Sequence, residues 1–78
     1  MPVIYREKGF RFFFFAQEGN EPPHVHVAKA EAIGKWWLQP QQCVYAEGFN
    51  PAQLRMIEKV IATNCERFLE EWNAFFEL

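Results

Sequence analysis

The 78-residue chain contains no Asp and no Ser, and Thr63 is its only Thr. Those absences exclude a Ser-His-Asp triad, an EF-hand loop built on Asp, and a phosphate-binding loop that ends in Lys-Ser or Lys-Thr. Cysteine is scarce as well: Cys43 and Cys65 are the two present, with no Cys-x-x-Cys spacing. The first ten residues carry Arg6, Glu7 and Lys8 and do not read as a signal peptide. Two buried, reduced thiols and a cytoplasmic location are therefore expected. No apolar run approaches the roughly 20 residues of a membrane helix, so no membrane partner is expected.

What the chain does have is aromatic mass. Half of its residues are hydrophobic and 18% are aromatic, with nine Phe, three Trp and two Tyr. That composition belongs to a folded chain and not a disordered one. The length suits a single domain over residues 1–78. A lone core of this size supplies only about 3–5 kcal/mol unless disulfides, metal or a second chain add to it. The formal net charge is −2. Residues 1–40 hold five basic residues against four Glu, and residues 41–78 hold three against six. The basic character lies in the first half, but it is slight.

The two halves read differently. Residues 1–40 are strands broken by turns, 41–49 is a connector, and 50–77 is a helix. Val3–Arg6 is a first strand, followed by a turn at Gly9. Phe10–Ala16 has high strand propensity. Glu18-Gly19-Asn20-Glu21-Pro22-Pro23 is a loop by composition, and either X-Pro bond in it is open to a cis state. His24–Val27 and Ile33–Leu38 read as further strands. Cys43-Val44-Tyr45 suits a short strand or a helical turn. Asn50 then caps a helix with Pro51 in its first position. Leu54, Ile57, Ile61, Cys65, Phe68, Trp72 and Phe75 follow at spacings of three and four, one stripe at helical period. Thr63-Asn64 is the one place where that helix has cause to break. The fold class is α+β: an antiparallel sheet of three or four strands with one long C-terminal helix on one face. A helix from Pro51 to Phe76 is about 39 Å long at 1.5 Å per residue. It should overhang a small sheet, leaving Trp72, Phe75 and Phe76 to be covered by another chain. Glu70, Glu71 and Glu77 crowd its last turns, a solvated acidic face or a docking surface for a basic partner.

Period-two alternation sorts the strands into two faces. Phe10, Phe12, Phe14, Val25, Val27, Trp36 and Leu38 belong under the helix. The second face carries Arg11, Phe13, Phe15, His24, His26, Lys35 and Trp37, and one helix cannot cover both. This second face is the candidate working surface. Aromatics beside Arg suit a protein–protein interface. The same groups suit single-stranded RNA, with rings stacking on bases and Arg11 and Lys35 holding phosphate. A structural alternative is that loops and residues 41–49 fold over the face.

His24 and His26 are the only histidines. Two apart on a strand, they point to one face about 7 Å apart along the chain. Three roles fit. They are catalytic residues that exchange protons across a phosphodiester, or ligands of a metal with Glu21 or Glu18 as a third, or strand residues that hold the Pro22-Pro23 turn.

Gly9-Phe10-Arg11-Phe12-Phe13-Phe14 and the block Glu18-Gly19-Asn20-Glu21-Pro22-Pro23-His24-Val25-His26-Val27 resemble the bacterial domain-of-unknown-function (DUF) family 4160. The likeness continues through Lys35-Trp36-Trp37-Leu38, Gly48-Phe49-Asn50 and Phe68-Leu69-Glu70-Glu71-Trp72-Asn73. The resemblance implies a small cytoplasmic bacterial protein with no established activity. It also implies a neighbouring small gene, as in toxin–antitoxin pairs, and recurring polar positions at Glu21, His24 and His26. The leading expectation is a non-enzymatic interaction module that binds itself or a small protein partner. Its anchors would be Phe13, Phe15, Trp37, Trp72 and Phe76, and it needs no cofactor. The alternative is an RNA-acting toxin using His24 and His26, and a third option is a structural or regulatory metal at that pair.

Overall fold

A computed structural model describes residues 2–76. It contains strands β1 (Val3–Glu7), β2 (Phe10–Phe13), β3 (His24–Lys29), β4 (Ala32–Leu38) and β5 (Gln41–Glu47), then helix α1 (Pro51–Phe76). A 3-10 turn at Ala16–Glu18 lies between β2 and β3. The expected helix limit at Glu77 falls outside the described residues. The strands form one antiparallel meander in the order β1-β2-β3-β4-β5.

The turns explain the meander. Lys8 and Gly9 join β1 to β2 with φ of 51° and 86°. Two consecutive positive φ values match the right-handed twist of a tight hairpin, and Gly carries the more extended of the two without strain. Ala30 and Glu31 join β3 to β4, and Gln39 and Pro40 join β4 to β5. The cis peptide bond is Gln39–Pro40, not one of the two bonds before Pro22 and Pro23.

The sheet has five strands, one more than the upper expectation, because most of the expected connector 41–49 is β5. The alternation that marks a strand is broken there. Tyr45 opposes Lys35 and Cys43 opposes Trp36, so Val44 is an unopposed bulge residue. Pairing with β4, not a local pattern, makes this segment a strand.

Phe10, Phe12, Phe14, Val25, Val27, Trp36 and Leu38 are all buried in one core cluster with Ile57, Val60, Ile61, Phe68 and Trp72 of α1. Face assignment by alternation is thus correct for all seven sheet residues. Asn50 Oδ1 accepts from the Gln53 amide at 2.8 Å, and Gln53 Oε1 accepts from the Asn50 amide at 2.9 Å. This reciprocal pair fixes the helix start. The helix runs unbroken through Thr63-Asn64, where Asn64 Nδ2 donates to the Val60 carbonyl at 2.8 Å.

The far helix end does not wait for a second chain. Trp72 is fully buried, with Phe14 edge-on at 5.2 Å and Phe76 at 4.2 Å between ring centroids. The Phe76 ring lies so close to Gly19 that a Cβ there would collide with it. The segment between β2 and β3 therefore closes over the end of α1, and of Trp72, Phe75 and Phe76 it is Phe75 that stays exposed. The thiols also depart from expectation. Cys43 is exposed, and Cys65 is half-buried with its Sγ donating to the Leu38 carbonyl at 3.2 Å.

Candidate functional site

Cross-strand register turns the second face into three rows. Arg11, Ala28, Ile33 and Glu47 form the first; Phe13, His26, Lys35 and Tyr45 the second; His24, Trp37 and Gln42 the third. Arg11, Phe13, His24, His26, Lys35 and Trp37 do share one face, as alternation requires.

Half of that face is closed. His24 and His26 are buried, and the segment carrying the 3-10 turn lies over them. Glu18 Oε1 lies 2.6 Å from His24 Nε2 and 2.8 Å from His26 Nε2, so one carboxylate oxygen meets both rings. His24 Nδ1 lies 2.9 Å from the Pro22 carbonyl. A carbonyl only accepts, so that nitrogen carries a proton and donates. The Pro22-Pro23 turn is therefore tied to His24. Aromatic rings enclose the pair. Phe13 stacks on His26 at 5.7 Å, Phe15 meets it edge-on at 4.5 Å, and Trp37 and Trp72 flank His24 at 5.6 and 4.9 Å.

Burial and charge oppose each other here. Burial lowers the pKa of His26, and the hydrogen bond to Glu18 only partly reverses that. Burial raises the pKa of Glu18, but its bonds to the two imidazoles outweigh that and hold the carboxyl below its usual range. Glu18 is thus held as a carboxylate that faces two ring nitrogens. His26 Nδ1 is buried without a hydrogen-bond partner, as is Trp72 Nε1. The three donor atoms of Glu18, His24 and His26 lie within 4.8 Å of one another.

The remaining residues fall in different places. Glu21 is not the carboxylate on the histidines; its Oε1 accepts from Lys35 Nζ at 2.7 Å. Lys35 also lies 4.8 Å over the Trp37 ring and is 13% exposed, so it is occupied and not held out for a phosphate. Phe13 and Trp72 are interior, which corrects their expected role as external anchors: their cover is the chain's own loop and helix end. Phe15, Trp37 and Phe76 are half-buried, and Arg11 stands in the far row beside Arg6. His24 and His26, the expected catalytic pair, are both buried beneath the segment that carries Glu18.

The other half of the face is open. All seven residues of β5 are exposed, with Val44 43% and Tyr45 41% accessible. Of the two states open to Cys43-Val44-Tyr45, a short strand or a helical turn, the structure has the strand, extended to Gln41–Glu47. Local sequence does not distinguish Glu18 from Glu21 as the carboxylate beside the histidines; the path of the loop does.

The family described as Domain of unknown function (DUF4160) matches residues 9–73. The chain belongs to this family. The match takes in the whole Glu18–His26 cluster, the Glu21–Lys35 pair, β5, and α1 as far as Asn73. Comparison with the curated proteins and with the solved structures gives no match. Among the described residues, no helix is long and apolar enough to cross a membrane.

Proposed function

We propose that this chain is a protein–protein interaction module whose docking element is the free edge of β5, and that the occupant is a second copy of the same chain. The observation that carries this reading is the exposure of β5 along its full seven residues. Natural sheets blunt a free edge with Lys, Pro or a covering element. Within β5 there is no Lys and no Pro, and Glu47 is its single charge. The Val44 bulge bends the strand but leaves its outer edge unpaired.

Self-pairing is favoured by that charge pattern. An antiparallel pair centred on Val44 sets Glu47 of one copy against neutral Gln41 of the other, so no like charges meet. Tyr45 and Val44 would then be shielded, and two small cores would be joined into one larger sheet. Trp37, half-buried in the next row of the second face opposite Gln42, extends the contact. A toxin–antitoxin-like two-gene pair would add a second kind of chain at the same edge.

The test is the mass in solution of the wild type and of a Val44→Lys/Tyr45→Lys variant, by light scattering or sedimentation. The expected result is twice 9.3 kDa for the wild type and 9.3 kDa for the variant. A wild type that stays monomeric to about 100 times the concentration of a typical micromolar complex overturns self-association. A variant that stays dimeric moves the interface away from β5.

A further inference from the structure

We propose that Glu18, His24 and His26 form a three-ligand site for one divalent transition-metal ion of the zinc class. Geometry starts the argument. His24 Nδ1 donates to the Pro22 carbonyl, which leaves Nε2 as the ring atom that faces Glu18 Oε1, at 2.6 Å. His26 Nε2 converges on the same oxygen at 2.8 Å. An imidazole that donates its other N–H to a backbone carbonyl is the usual orientation of a metal-bound histidine. Pro22 supplies that carbonyl for His24; the His26 ring is held instead by Phe13 and Phe15.

Spacing supports the same reading. Zinc binds imidazole nitrogen and carboxylate oxygen at about 2.0–2.2 Å, so neighbouring ligands in a tetrahedron are about 3.4 Å apart. The donor atoms already lie within 4.8 Å of one another. Glu18 has to withdraw by under about 1 Å from each ring to admit an ion of that radius. The histidine backbones are held in β3, whereas Glu18 ends a three-residue turn and its side chain is 25% exposed, so Glu18 is the ligand with the most room to move. Two nitrogens and one oxygen select zinc, cobalt or iron(II) over calcium and magnesium, which prefer oxygen throughout. Water or a small anion would supply the fourth ligand through the exposed side of Glu18.

Chelator-treated protein titrated with cobalt(II) and with zinc tests this. We expect one equivalent of cobalt with a visible d–d band, displacement of that band by zinc, and a zinc-dependent rise in Tm. Glu18→Gln should lose at least about tenfold in affinity, in line with the cost of disturbing a metal's ligand set. It should still fold, because an amide also hydrogen-bonds both rings; circular dichroism checks this. Glu21→Gln should bind as the wild type does. No band and no Tm shift in the wild type overturns the proposal. So does a band that survives Glu18→Gln unchanged, or a sulfur-to-cobalt charge-transfer band, which would put the ion on Cys43.

Discussion

Strands β3 and β5 lie two strands apart in one sheet, yet their fates are opposite. In β3 five of six residues are buried; in β5 all seven are exposed. Strand geometry is the same in both, so the difference comes from what lies over them. α1 covers one face of β3, and the segment from Phe14 to Pro23 covers the other. That cover is fastened at three points: Glu18 on the histidines, Glu21 on Lys35, and Gly19 under Phe76. Nothing among the described residues plays that part for β5. The closed half holds most of the buried core, and the open half leaves β5 exposed.

Trp72→Ala should produce the largest effect on this contrast. Trp72 joins the helix end to Phe14 and His24, so its loss opens the closed half from within. Truncating a buried Trp costs about 3–5 kcal/mol, which is most of what a domain of this size has. Urea denaturation should show a domain largely unfolded at 37 °C. A loss below about 1 kcal/mol would mean that the helix end is not packed as described, since surface changes alone are that small.

Gly19→Ala should come next. Its new methyl meets the Phe76 ring, so the ring or the loop must move, at about 1–3 kcal/mol for an overpacked contact. A Phe76→Ala partner change should recover part of that loss in a double-mutant cycle. Additive effects would separate the loop from the helix end. Smaller again is Lys35→Met. The ion pair with Glu21 is partly exposed, and pairs of that kind are worth about 0–1 kcal/mol. Faster amide exchange in residues 16–23, with global stability nearly unchanged, would identify Glu21–Lys35 as a local latch.

The closed half was legible in the sequence as a set of faces but not as a site. Alternation put His24 and His26 on one side and Val25 and Val27 on the other, and helical period put Ile57, Ile61, Phe68 and Trp72 in one stripe. Those are local repeats, and the structure keeps them. Glu18 meeting both rings depends on how a Gly- and Pro-containing loop folds back, which no local spacing encodes. The cover on Trp72 is of the same kind, since Phe14 and Gly19 are more than fifty residues away in the chain. β5 was legible only as a short strand or a helical turn at Cys43–Tyr45, for the opposite reason. Its bulge at Val44 breaks the period, and its exposure removes the apolar signal.

Tyr45→Lys should have the smallest effect on the chain itself, and it puts the contrast at most risk. Tyr45 is 41% exposed and pairs with Lys35 in register. In dilute protein the change should leave unfolding free energy within about 0.5 kcal/mol of the wild type, as for other surface positions. At higher concentration the two should diverge. A wild type that pairs through β5 gains stability with protein concentration, because association favours only the folded form. The variant should show no such gain. If instead Tyr45→Lys costs about 2 kcal/mol or more in dilute protein, it would be acting as a core substitution, not a surface one. β5 would then be covered within the single chain, and the division between a closed and an open half would fail.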